Sequence, residues 1–187
     1  MSMDEDLERV LWTAEEIAAR IAEVAKQISD DFRRVKSPIV VVGVATGAFL
    51  FLADLVRQIT LPVAVDFIRA ESYGSGTRSN GAPVITFDVK LDISGKHIIL
   101  VEDIVDTGNT LLCLIAHLKS KGAQSVSVCT LLDKQARRTV HFELFGEGKF
   151  YSGFECPDYF VVGYGLDFAE LYRNLPYIGV LKPEKYR

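Results

Sequence analysis

The sequence predicts an α/β fold, a parallel sheet flanked by helices on both faces. The runs Ile39-Val40-Val41-Val42-Gly43-Val44 and Ile98-Ile99-Leu100-Val101 are apolar throughout, the pattern of strands buried on both sides. Each breaks into a short turn and is followed by an apolar helical segment, Phe49 to Ile59 and Leu111 to Leu118. Strands alternating with helices in this way build a parallel sheet. With 187 residues, no internal repeat and no second large domain, the chain suits one domain with a full core.

Taken in order, Thr13-Ala14-Glu15-Glu16 is a capping box, in which the Thr and Glu side chains satisfy helix-start amides. Ile17, Ile21, Val24 and Ile28 then recur at helical spacing, predicting an amphipathic helix from Ala14 to about Arg34. The strand Ile39 to Val44 ends at Ala45-Thr46-Gly47-Ala48, which reads either as a plain tight turn or as a loop offering amides to an anion. Val63 to Arg69 is a further strand, and β character resumes from Val84 to Lys90. Between them, Glu71 to Gly81 is polar and Gly-rich, a mobile loop by composition. The helix from Leu111 stops at Lys119-Ser120-Lys121-Gly122, with glycine at its end and cations against its dipole. Ser125 to Leu132 is a strand running into Asp133-Lys134-Gln135-Ala136-Arg137-Arg138. Carboxyl ends of strands are where open α/β sheets take ligands; a solvated basic loop is the plainer reading of this one.

Composition excludes some functions. A net charge of −4 and pI near 5.4 argue against nucleic acid as partner, which needs a basic footprint. No apolar run reaches the roughly 18 residues of a membrane span, and the acidic start lacks the features of a secretory signal. Cys113, Cys129 and Cys156 show no paired framework, so the first two are expected as buried thiols and Cys156 as an inert loop residue. The expected location is cytoplasmic.

The chemistry concentrates after His97-Ile98-Ile99-Leu100-Val101. Glu102, Asp103 and Asp106 put three carboxylates within five residues, followed by Thr107, Gly108 and Thr110 at a helix start. Strand, small-residue turn and helix start make a phosphate cradle, because free amides and the positive helix end face the ligand. Carboxylates there would repel phosphate unless a divalent cation or sugar hydroxyls intervene. Capping by Asp106 or Thr107 is the plainer alternative, but it uses one acid and leaves two. No Gly-Lys-Ser/Thr follows, which excludes a Walker A loop, and the glycine spacing is not that of a dinucleotide site.

Val101-Glu102-Asp103-Ile104-Val105-Asp106-Thr107-Gly108-Asn109-Thr110 resembles the phosphoribosyl-diphosphate signature of the purine phosphoribosyltransferases. Leu131-Leu132-Asp133-Lys134 and the stretch from Gly153 to Gly179, with Tyr159-Phe160-Val161, Asp167 and Arg173, resemble the hypoxanthine-guanine branch. The resemblance implies a phosphoribosyltransferase-type fold, with a small hood from about residues 1–14 and 150–187. It implies transfer of ribose 5-phosphate from phosphoribosyl diphosphate to hypoxanthine or guanine, giving IMP or GMP plus pyrophosphate. Glu102 and Asp103 are then expected at the ribose hydroxyls and one Mg²⁺, Asp167 at a second, and Asp106 to Thr110 at the 5-phosphate. Asp106 would accept the purine N7 proton, Lys134 would face the 6-oxo group, Phe160 would stack on the base and Val161 would read its edge. Phe160 taken alone reads equally as a core residue.

Thr46 and Gly47 would meet pyrophosphate with Arg173, and Ser72-Tyr73 would open a closing lid. Arg69 and Tyr159 join the substrate-binding set. Thr46 stands where relatives often carry Lys or Arg, which removes a cation, and Glu71 is acidic where some are basic. A homodimer or homotetramer is usual for such enzymes. The rivals are a xanthine-preferring relative and a non-catalytic regulator; the latter would tolerate loss of the acids, and every acid is present.

Overall fold

The computed structural model describes residues 2–72 and 82–187. β1 (Leu7–Trp12) precedes α1 (Ala14–Phe32), and the capping box forms: Thr13 Oγ1 accepts from the Glu16 amide at 3.2 Å, and Glu16 accepts the Thr13 amide at 2.8 Å. There follow β2 (Ile39–Val44), α2 (Phe49–Gln58), β3 (Val63–Ser72), β4 (Pro83–Phe87), β5 (His97–Val105), α3 (Asn109–Ser120), β6 (Ser125–Asp133) and β7 (Phe150–Glu155). These six strands form one sheet in the order β4-β3-β2-β5-β6-β7. Valines, isoleucines and leucines on alternate sides of β2, β5 and β6 feed two cores. Val41, Ile99 and Leu131 pack under α1 and α2, while Val40, Val42, Leu100 and Val128 pack under α3.

The parallel sheet is as expected, and the structure adds two details. First, β3, β2, β5, β6 and β7 are parallel, and an edge strand, β4, pairs antiparallel with β3. The connection between them is too short for the helical crossover that a parallel pair requires. Second, 150–155 does not belong with the hood segments. As β7 it extends the main sheet, pairing Val128 with Phe150 and Leu132 with Phe154, and Tyr151 enters the main core.

The smaller layer is a three-stranded antiparallel sheet, β1-β9-β8, from β1, β8 (Val161–Val162) and β9 (Ile178–Leu181). Leu7, Val162, Tyr172, Leu175 and Leu181 form its own core. Cys129 is buried and Cys156 follows β7 on a loop, both as expected; Cys113 departs from expectation. Cys113 is only half-buried, while Cys156 is buried and donates its amide to the Asp133 carbonyl at 2.9 Å, prolonging the β7 pairing. No helix among the described residues is long and apolar enough to cross a membrane.

β2 and β5 are neighbours, and from them the chain moves outward in opposite directions, to β3 and to β6. Their carboxyl ends therefore bound the crevice where such sheets bind ligands.

Candidate active site

The loop after β5 lines that crevice. A cavity of about 260 Å³ is bounded by Val44 of β2 and by Glu102, Asp103, Ile104, Val105, Asp106, Thr107, Gly108, Thr110 and Leu111. Larger clefts lie elsewhere, one of about 490 Å³ around Pro38 and Pro62, but they lack such a cluster of carboxylates and amides. α3 starts at Asn109, and Gly108 caps it at φ +92°, a conformation that glycine adopts without strain. Gly108 offers no side chain to cap the helix; the Asn109 amide makes a long bond to Thr107 Oγ1 at 3.4 Å, and the α3 start opens on the cavity.

The loop after β2 closes on the same place. A Cβ on Gly47 would stand 2.0 Å from Asp103 Oδ2, so only glycine allows this approach. The Ala45–Thr46 peptide is cis. Thr46 Oγ1 accepts from Arg69 Nη2 at 2.8 Å, and Arg69 also faces Glu71 at 3.6 Å. The cation missing at position 46 is thus brought to the loop from β3. Ser72 ends β3; Tyr73 and the rest of the expected lid, 73–81, lie outside the described residues.

The segment after β6 braces the β5 loop. The Lys134 amide donates to Val105 O at 2.9 Å, and the Thr139 and Val140 amides both donate to Thr107 O, at 3.0 and 3.3 Å. Arg137 Nε donates to Asp106 Oδ1 at 3.3 Å, and Arg138 Nε donates to the Asp106 main-chain carbonyl at 3.2 Å. Arg138 is itself held by buried Asp133 and lies over the Phe142 ring. Sequence reasoning singled out Lys134 in this segment and missed Arg137, Arg138 and Asp133. The signal available was the tandem arginine at a strand's carboxyl end. Lys134 is buried, and its Nζ donates to the Tyr159 carbonyl at 2.7 Å.

Tyr159 and Phe160 are exposed at the rim, Tyr159 beneath the Arg9 guanidinium, and Val161 is buried in the small sheet. The chain then folds tightly from Gly163 to Arg173, with Tyr164, Ala169, Glu170 and Tyr172 all at positive φ. A Cβ on Gly165 would stand 2.2 Å from the Gly47 carbonyl, so this segment rests directly on the β2 loop. Asp167 accepts from the Glu170 amide at 2.9 Å and pairs with Arg173 at 3.2 Å. Arg173 Nη1 donates to Gly165 O at 2.7 Å, while its Nε is buried without a partner among the described residues.

Electrostatically the centre is an acidic pair on the cavity wall, Glu102 buried and Asp103 partly exposed. Burial pushes the Glu102 carboxyl well above its usual range, and repulsion from Asp103 adds to this. Burial also raises Asp103, against the Ile104 amide and the Arg173 charge, which hold it down. Two adjacent oxygen donors lining the cavity suit a hard divalent cation. Mg²⁺ is usually held by one or two carboxylates together with substrate oxygens.

A sheet crevice holding a glycine turn at a helix start and an acidic pair, beside a small second sheet, has the groups to take a phosphorylated ligand. The family model described as phosphoribosyl transferase domain matches residues 11–169, and the chain belongs to that family. Its near relatives set it in the hypoxanthine-guanine branch. The hypoxanthine-guanine phosphoribosyltransferase of Mycobacterium tuberculosis is 43% identical over 186 residues, covering 97% of this chain and 90% of that protein. The crystal structure of a hypoxanthine phosphoribosyltransferase from Staphylococcus aureus superposes with a TM-score of 0.89 at 42% identity, covering 99% and 97% of the two chains. The chain also matches the bifunctional protein TilS/HprT of Listeria monocytogenes at 42% identity over 185 residues, which is 28% of that protein's length.

Proposed function

We propose that the chain, acting as one domain, serves purine salvage by transferring 5-phosphoribosyl from phosphoribosyl diphosphate to hypoxanthine or guanine. The products are IMP or GMP and pyrophosphate. The C1–diphosphate bond breaks, a C1–N9 bond forms, and the purine loses one proton. The observation that carries this reading is the convergence of three loops: Gly47 against Asp103, and Gly165 against Gly47. That contact brings together the β2 loop, the β5 loop with its two acids, and the segment from Gly163 to Arg173.

In this reading the amides of Asp106 to Thr110 hold the 5-phosphate, and Glu102 and Asp103 accept the ribose hydroxyls. Asp106 takes the purine proton at N7, its carboxylate steadied by Arg137. Arg173, Arg69 and the Thr46-Gly47 loop receive the pyrophosphate. Lys134 meets the 6-oxo group, Phe160 and Tyr159 flank the base, and the Val161 main chain reads its edge. Ser72, at the end of β3, would join the substrate contacts. Glu102 and Asp103 would hold one Mg²⁺ and Asp167 a second, and the metal would neutralise charge on the departing pyrophosphate.

Exposed apolar side chains on the β3–β4 edge, Val65, Phe67, Val84 and Phe87, support a homodimer or homotetramer. Free thiols and these substrates suit the cytoplasm. The test is Asp106→Asn assayed with hypoxanthine and phosphoribosyl diphosphate. Turnover should fall by roughly 10²–10⁴, the worth of a positioned general base, with affinity for phosphoribosyl diphosphate little changed. Near-normal turnover would remove Asp106 from the reaction.

A further inference from the structure

Phe160 does not stand alone at the rim. After β9, Lys182-Pro183-Glu184-Lys185 makes a short 3₁₀ turn with proline at its start, and this turn brings Tyr186 back over the small sheet. The Tyr186 and Phe160 rings are stacked, centroids 4.5 Å apart and planes 17° from parallel. Phe168 meets both edge-on, at 5.6 Å from Phe160 and 6.5 Å from Tyr186. Phe160 is nevertheless 37% exposed, because a ring has two faces and Tyr186 covers one.

The turn is fastened from the residue before β1, which lies beside it because Leu7 pairs with Leu181. Asp6 accepts from Lys185 Nζ at 2.6 Å and from the Tyr172 hydroxyl at 2.8 Å, and its carbonyl accepts the Lys182 amide at 3.0 Å. The Leu181 amide donates to the Phe160 carbonyl at 2.9 Å. Asp6, Lys185 and Tyr186 were not singled out by any sequence pattern.

We propose that Tyr186 is a positioning residue for the purine: it stacks on the back of Phe160 and fixes the plane on which the base lands. The proposal rests on the reading of Phe160 as the base platform. An unsupported phenylalanine at a rim samples several rotamers, and a base that stacks on it must first immobilise it. With Tyr186 behind it, the ring is already held, and base, Phe160 and Tyr186 form a three-ring stack. The Asp6–Lys185 pair keeps the third ring in place.

Steady-state kinetics with purine and phosphoribosyl diphosphate varied in turn test this in Tyr186→Ala, Tyr186→Phe and Phe160→Ala. Loss of one aromatic pair should raise the KM for hypoxanthine roughly two- to tenfold, leave the KM for phosphoribosyl diphosphate in place, and be rescued in Tyr186→Phe. An unchanged hypoxanthine KM in Tyr186→Ala would overturn the proposal. So would a lowered one, which would mean that the tyrosine stands where the base binds, or an equal rise in both KM values, the mark of general disruption. Should Tyr186→Ala not fold, Lys185→Met loosens the same ring and should show the same selective rise. A hypoxanthine KM indifferent to Phe160→Ala would remove the platform and the proposal together. A wild-type chain inactive with every 6-oxopurine would instead refute the functional reading itself.

Discussion

Arg138 holds Asp106 by its backbone: the guanidinium Nε donates to the Asp106 carbonyl at 3.2 Å, in the loop that begins the phosphate cradle. The arginine is fixed in turn by buried Asp133 and by the Phe142 ring. Arg138→Met should therefore loosen the cradle from behind. A hydrogen bond from a charged donor is worth about 1.5–3 kcal/mol, so the KM for phosphoribosyl diphosphate should rise roughly ten- to a hundredfold. Arg138→Lys, keeping the charge without the fork, should fall between. Equal KM values in all three proteins would show that the loop holds itself.

Gly108 is the residue on which the cradle turns. At φ +92° a side chain is strained, and a Cβ there would stand 3.0 Å from Arg138 Cδ and 3.2 Å from Val140 Cγ2. Gly108→Val should leave the sheet folded and abolish GMP binding, because the loop can no longer turn its amides inward. Calorimetry that found wild-type affinity for GMP would refute the cradle.

Thr46 and Arg69 share one role. Since Arg69 donates to Thr46 Oγ1 at 2.8 Å, its charge already lies beside the β2 loop. Arg69→Met should weaken product inhibition by pyrophosphate, and Thr46→Lys should strengthen it and slow product release. If neither variant changes pyrophosphate inhibition, the pair faces elsewhere.

Asp88 ties the segment after β4 to α3, accepting from His117 Nε2 and Lys121 Nζ, each at 2.9 Å. Burial alone would raise its pKa, but these donors and the Val89 amide outweigh burial and hold the carboxyl below its usual range. A lowered carboxyl pKa stabilises the fold above the unfolded group's value, and that contribution is lost as pH falls through the folded one. Melting temperatures of wild type and Asp88→Asn should differ near neutrality and converge below about pH 4. A gap that stays constant down to pH 3 would contradict the assignment.

Much of this fold was legible because its central strands are apolar on both faces. Val40 to Val42 and Ile98 to Val101 admit no other placement, and Thr13 with Glu16 announces α1. The antiparallel β4 was not legible, since direction depends on the length of a connection and not on the strand's own residues. Nor was β7, in which Tyr151 alone is fully buried, so that no buried run marks it as a strand of the main sheet. At the site, local spacing revealed Glu102 to Thr110, but Arg138 acts through a backbone carbonyl 32 positions away. Tertiary contacts of that kind leave no periodic trace. Arg69 was among the expected substrate contacts, but its bond to Thr46 Oγ1 was hidden for the same reason.

Lys134 provides the most direct test of the central claim. An ammonium has three protons; the Tyr159 carbonyl takes one at 2.7 Å, and the others remain to donate. Hypoxanthine, guanine and xanthine offer an acceptor at position 6, whereas adenine offers an amino donor there. A buried site built to hydrogen-bond one group rejects an analogue lacking it by as much as ~10⁴-fold. The measurement is initial rates with all four purines, phosphoribosyl diphosphate and Mg²⁺, for wild type and Lys134→Gln. Wild type should use hypoxanthine and guanine and leave adenine inert, while the amide variant should lose rate with both oxopurines and shift its relative preference toward adenine. Adenine turned over as fast as hypoxanthine, or a ratio between purines untouched by Lys134→Gln, would contradict the account.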